Sequence, residues 1–257
     1  MKFIAKIWWT PFLVYIIWIT SFINSKVDNI GCRSIEIEIR DSLNYSFVTS
    51  DDIFNLIHNE EVKVLGKSLT EENIRNIEQR VGSIRELGSA EVYMTLDGAL
   101  HVEADQRDPV MRIISSYGNS YFVDKYGFVI PQEYKYTPRL IAVSGNIEVP
   151  DGSVSSGDIT SLPDSSMLKK LFSMVMYINN DEFWKGQIEQ IWVNEDWELE
   201  LIPRVGQHLI RFGSTERMEE KLNNLKEFYK GVLPRAGWNI YGEIIMKYDG
   251  QIVCKKR

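Results

Sequence analysis

The residues able to do chemistry in this chain are scattered rather than gathered. Its three histidines, His58, His101 and His208, lie far apart in the sequence. None stands in the HExxH-like spacing that sets two imidazoles on one helix face for zinc. The adjacent carboxylates Asp51-Asp52, Glu60-Glu61, Glu71-Glu72 and Glu219-Glu220 fall near helix starts or on solvated faces. Neighbours i and i+1 on a helix do not share a face, so none makes an acid/base or metal-binding pair. Asp105, Arg107, Asp108 and Asp124 could line a site, but turn and hinge charges are the plainer reading. No GxSxG, Walker loop or GxGxxG occurs. These patterns predict a protein that is not an enzyme and holds no cofactor or metal.

Composition narrows the classes further. The chain has 257 residues, 44% hydrophobic and 25% charged, a normal balance for one or two folded domains. A net charge of −7 without a dense basic patch argues against nucleic acid, whose phosphates call for clustered Lys and Arg. Lys255, Lys256 and Arg257 read as a solvated tail. The two cysteines, Cys32 and Cys254, could pair in an oxidising compartment, but nothing in their placement favours it.

Whatever these residues do, the N-terminal segment predicts where they do it. Ile7 to Ile23 is a run of seventeen residues without a charge. At about 1.5 Å per helical residue it approaches a bilayer core of about 30 Å. Ser21 to Lys26 lacks a small-x-small cleavage pattern, so the reading is an uncleaved anchor rather than a signal peptide. The expected layout is a tail over 1–6, a transmembrane helix over 7–23 and a linker over 24–33. Lys2, Lys6 and the α-amino group favour an N-terminus inside and the bulk of the chain outside.

The exterior reads as α+β in two pieces. In the first, over 34–107, Ser34 to Ile39 alternates apolar and acidic residues as a half-buried strand does. Thr49 or Ser50 then caps a short helix with Ile53, Leu56 and Ile57 on one face, and Thr70 caps a second with Ile74, Ile77 and Val81. AEVYMTL-DG-ALHVEAD follows, and its Asp97-Gly98 predicts a two-residue hairpin turn. The order is βααββ. The second piece, over 108–257, is a larger mixed β domain with two helices. Strands are expected from Pro109 to Pro131, at Arg139 to Gly145, and in QIEQIWV, DWELELI and HLIRFG. The helices open at Pro163-Asp164, carrying Leu168, Leu171, Phe172, Val175 and Ile178, and near Ser214, carrying Met218, Leu222, Leu225 and Tyr229. Asn146 to Ser161 reads as a surface loop. Trp184, Trp192 and Trp197 read as core packing, and NIYGEIIMKY-DG-QIVCKK as a closing strand, turn and strand or tail.

From Arg107 to Val129 the chain resembles the bitopic cell-division family called FtsQ in Gram-negative and DivIB in Gram-positive bacteria. Arg107, Pro109 and Val110 match a Glu-Arg-x-Pro-Val-Ala pattern, with Gln106 in place of the glutamate and Met111 of the alanine. Gly118, Val123, Asp124, Gly127 and Val129 match the segment after it. DWELELIPRVGQHLIRFGSTERMEEKLNNLKEFY and IIMKYDGQIVCKK continue in family order. The resemblance implies a short cytoplasmic tail, one transmembrane helix, a POTRA domain and a β domain. It also implies a cell inner-membrane protein with its bulk in the periplasm at the division septum. Its role would be a non-enzymatic scaffold linking early septal-ring proteins to the septal peptidoglycan machinery. The partners implied are FtsB- and FtsL-like proteins, with FtsW- or FtsI-like synthase components further along.

In that family an FtsB segment adds a strand to the last strand of the β domain. Carried over by position, this places partner binding at Tyr248, Asp249, Gly250, Gln251, Ile252 and Val253. A charged substitution at Ile252 is then expected to weaken the partner without unfolding the domain. One departure stands out: family members place a basic residue just before the Trp-containing strand, and here Asn194, Glu195 and Asp196 precede Trp197. Two other classes stay open, a POTRA-bearing envelope assembly or secretion chaperone and a membrane-anchored envelope enzyme.

Overall fold

The computed structural model describes residues 10–27, 31–40, 46–58, 64–115, 118–131, 138–147 and 157–257. The chain divides into two compact units, Met1–Arg107 and Asp108–Arg257.

The first unit opens with helix α1 (Thr10–Val27). Its large apolar side chains from Phe12 to Trp18 are exposed. Among the described residues no helix is long and apolar enough to cross a membrane. Ile7, Trp8 and Trp9 of the expected span, and the tail over 1–6, lie outside the described residues. The helix continues through Val27, into the stretch read as linker, and Gly31 bridges to Ser68.

Beyond it the order is β1 (Ser34–Arg40), α2 (Ser50–Ile57), α3 (Glu71–Gly82), β2 (Leu87–Met94) and β3 (Ala99–Gln106). Helices α2 and α3 both start in reciprocal capping boxes, Thr49 with Asp52 and Thr70 with Asn73, so Thr49 and not Ser50 is the first cap. The two helices carry the chain from β1 to β3's neighbour, which lets β1 pair in parallel with β3, from Ser34–Ala99 to Arg40–Asp105. The sheet order is β1-β3-β2. Ile53, Ile57, Ile77 and Val81 from the helices pack on Val92, Leu100 and Val102 of the sheet.

The β2–β3 turn differs from the two-residue reading. Thr95 N–H donates to Ala99 O at 2.9 Å and Gly98 N–H to Thr95 O at 3.0 Å. Only Gly98 has positive φ, at 91°, so the loop is Leu96-Asp97-Gly98 with glycine in the bulge. A primed two-residue turn would need Asp97 at positive φ as well.

The second unit is a nine-stranded mixed sheet in the order β12-β11-β10-β9-β8-β7-β4-β5-β6. Its strands are β4 (Pro109–Ile114), β5 (Ser120–Asp124), β6 (Val129–Pro131), β7 (Ile141–Gly145), β8 (Ile188–Val193), β9 (Leu199–Pro203), β10 (Leu209–Gly213), β11 (Tyr241–Ile245) and β12 (Val253–Lys256). Alternate residues such as Met111, Ile113, Val143, Ile191, Leu201, Ile210 and Ile244 point into one core. Helices α4 (Met167–Asn180) and α6 (Met218–Gly231) supply its other wall through Leu171, Val175, Ile178, Leu222 and Tyr229.

Several expectations are corrected here. Two short helices join the expected pair, α5 (Glu182–Gln187), capped by the Asp181 carboxylate, and α7 (Leu233–Ala236). Helix α4 starts four residues after Pro163, and α6 four residues after Ser214, behind Arg217 in the left-handed region. The end of the expected Asn146–Ser161 loop is structured. Phe128 bridges to Asp158, a 3-10 turn spans Ile159–Ser161, and Ile159 is buried; residues 148–156 lie outside the described residues. Trp184 is fully buried, whereas Trp192 and Trp197 are exposed. Both cysteines are free.

Candidate interaction edge

The nine-stranded sheet ends on β12, and no described strand lies beyond it. The strand pairs antiparallel with β11 through Ile245–Val253, Ile244–Cys254 and Glu243–Lys255, with a register shift before Tyr241–Lys256. Arg257 N–H donates to Ile240 O at 3.1 Å. Main-chain groups alternate sides along a strand, so those of Val253 and Lys255 face β11. Those of Cys254 and Lys256 face the open edge. Lys255 is 71% exposed, and a lysine beside a bulge is a usual way to blunt such an edge.

A chain of alternating charges supports this edge on one sheet face. Arg211 on β10 donates to Glu200 on β9 at 2.7 Å and to Glu243 on β11 at 3.1 Å. Lys255 on β12 lies 3.9 Å from Glu243. The hydrogen bond from Arg211 holds the Glu243 carboxyl below the usual carboxylate range, and the same contact raises Arg211. Four neighbouring strands are thereby tied by side chains as well as by the ladder.

The residues carried over from the family resemblance fall mostly outside the strand. Tyr248, Asp249 and Gly250 form a turn, Gln251 and Ile252 connect it, and only Val253 belongs to β12. Gln251 N–H reaches Tyr248 O at 3.4 Å, and Asp249 is ion-paired with Arg217. Tyr248 is exposed, but Ile252 packs against the main core. Ile252 is half-buried, so a charge there is expected to disturb folding as well as any surface. The edge groups outside the six carried-over residues are Cys254 and Lys256, with Arg211 and Glu243 behind them. The alternation in VCKK was visible, but nothing local says which strand of a mixed sheet lies last.

Apart from Arg107, the residues matching the family pattern lie at the start of the second unit, on β4, β5 and the turn after β5. Pro109 pairs with Asp124 across β4 and β5, and Val123 pairs with Met111. The buried Asp124 carboxylate accepts from Tyr126 N at 2.9 Å and Phe128 N at 2.8 Å. Gly127 sits at φ 91°, and a Cβ there would lie 2.7 Å from Thr160 Cγ2. Asn179 Nδ2 donates to Val110 O at 3.1 Å, fastening α4 to β4. Arg107 ends the first unit and donates to Arg85 O at 3.0 Å.

Two of the histidines have close aromatic partners. His101 stacks on Tyr93 at 5.1 Å and faces Glu36 at 3.6 Å on the sheet of the first unit. His208 is buried with Nε2 2.6 Å from the Tyr229 hydroxyl. Burial lowers the histidine, against a smaller opposing hydrogen bond to Trp238, and raises the tyrosine. Among the described residues no three His, Cys, Asp or Glu side chains gather as a metal site.

Two family models match the chain. One, described as FtsQ/DivIB, C-terminal related, covers residues 108–255. The other, described as a POTRA-like domain, covers residues 31–105. No curated protein matches.

Proposed function

The chain belongs to the FtsQ/DivIB family, and from that premise we propose that it is a membrane-anchored divisome scaffold that captures a partner strand on β12. Membership carries a role in cell division. The observation that supports a scaffold is the open edge at Cys254 and Lys256, backed by the charge chain from Glu200 to Lys255. Strand addition would give affinity through main-chain hydrogen bonds and specificity through alternate side chains. FtsB- and FtsL-like proteins are the proposed partners, linking the chain to the septal peptidoglycan synthases. The run from Ile7 to Ile23, with exposed apolar side chains from Phe12 to Trp18, is the proposed anchor. The two units would then lie in the periplasm, on the far side of the cytoplasmic membrane.

Depletion in the native cell tests this reading. Filamentous cells with unconstricted septa are expected. Normal division with defective outer-membrane assembly would instead favour the POTRA-chaperone alternative.

A further inference from the structure

Two leucines stand at turn positions that usually carry polar residues, and both lie where the chain enters the first unit. The β2–β3 loop is Leu96-Asp97-Gly98, and its Leu96 is 77% exposed. The second turn is Val64-Leu65-Gly66-Lys67, closed by Lys67 N–H donating to Val64 O at 3.3 Å, with Gly66 at φ 80°. Its Leu65 is 40% exposed. Turns favour Gly, Pro, Asn, Asp and Ser, so contact with water alone would call for polar side chains at both positions.

The entering segment locks these turns side by side. Gly66 N–H donates to Cys32 O at 2.7 Å, Cys32 N–H to Lys67 O at 2.9 Å, and Arg33 N–H to Gly98 O at 2.7 Å. A Cβ on Gly98 would lie 2.8 Å from Gly31 O, and one on Gly31 would lie 3.6 Å from Gly66 O. Gly31 therefore runs between the turns that carry Leu65 and Leu96. It is also only four residues beyond Val27, the last residue of α1, a span of at most about 14 Å. That helix exposes its large apolar side chains from Phe12 to Trp18. Charge does not mark this end for an anionic surface. Arg33 and Lys67 are exposed, but so are Asp97 and, just beyond Ser68, Glu71 and Glu72.

We propose that this end of the first unit rests on the phospholipid bilayer that holds α1, with Leu65 and Leu96 entering the headgroup layer. The proposal rests on the anchor reading above. Apolar side chains with charged neighbours suit that layer, where the apolar groups are buried and the charges stay wet. Two leucines are too few to bring a free domain to a membrane. A four-residue tether keeps them within reach and makes the contact intramolecular. Such a contact would set the orientation of the first unit against the membrane.

Photo-crosslinking of the full chain in nanodiscs of phosphatidylethanolamine and phosphatidylglycerol tests the contact. The comparison position is Ser83, exposed at the other end of α3, which carries the chain over twelve residues, about 18 Å. A photoreactive residue in place of Leu96 or Lys67 is expected to capture lipid at least about fivefold more than one in place of Ser83. Phosphatidylcholine nanodiscs should leave these yields within about twofold, because apolar burial rather than charge drives the contact. Leu96→Glu, at an exposed loop tip, should lower capture at Lys67 at least about fivefold. Yields at Leu96 and Lys67 no higher than at Ser83 would overturn the proposal. So would capture at Lys67 unchanged by Leu96→Glu, or capture confined to the anionic lipid. A photoreactive residue at Tyr15, exposed on α1, separates the two readings. Lipid captured there but not at Leu96 sinks only the contact, whereas no capture at Tyr15 sinks the anchor.

Discussion

Arg211 on β10 donates to Glu243 on β11 at 3.1 Å and so couples the last parallel pair of the sheet to the side chain that Lys255 approaches from β12. The contact lies on a partly exposed sheet face, where ion pairs are weak singly and gain from being linked.

Arg211→Ala should therefore loosen the edge more than it destabilises the fold. A fall of about 2 °C in thermal midpoint is expected, shrinking in 1 M salt as screening takes over. The depressed Glu243 carboxyl contributes stability above its ordinary pKa of 4.5, which is lost as pH falls through the lower folded value. That part of the acid sensitivity should be missing from the variant in a melt series between pH 6 and about 3. A variant with the same acid profile as the parent would disprove the coupling.

His208 predicts a second pH response at higher pH. Its folded pKa lies below the ordinary 6.5, so its neutral form contributes stability that is complete above that value. As pH drops below about 6.5, the unfolded chain takes up the proton first and stability declines. His208→Gln should flatten the slope of midpoint against pH between 7 and 5. An unchanged slope would assign that titration to other groups.

Gly145 shows how narrowly the sheet is closed. At φ 103° its missing Cβ would sit 2.1 Å from Val193 O, across the β7–β8 pair. Gly145→Ala should cost about 3 kcal/mol or more by combining left-handed strain with a main-chain clash. Chemical denaturation would show the loss, and a cost under about 1 kcal/mol would contradict this geometry.

The first unit was the more legible in sequence because its signals are local. Alternation from Ser34 to Ile39, threonine caps at Thr49 and Thr70, and helical spacing through Ile77 and Val81 each act within a few residues. Asp97-Gly98 marked the hairpin but not its length, since primed turns and glycine bulges both accept that pair. The second unit hid more. Its parallel pairings of β4 with β7 and β7 with β8 join segments far apart, and no local pattern reports them. Asp249-Gly250 drew the closing strand too early, because Ile252 and Tyr248 alternate as strand residues do while lying in a loop. Trp197 read as core because tryptophan usually is, and its left-handed backbone leaves no mark on composition.

Strand capture on β12 is the central claim, and site-specific photo-crosslinking in growing cells tests it most directly. A photoreactive residue at Lys255 or Lys256 should give an adduct with the FtsB-like partner. The same residue at Glu189, exposed on β8, should not. Adducts at Glu189 with none at Lys255 or Lys256 would contradict the account.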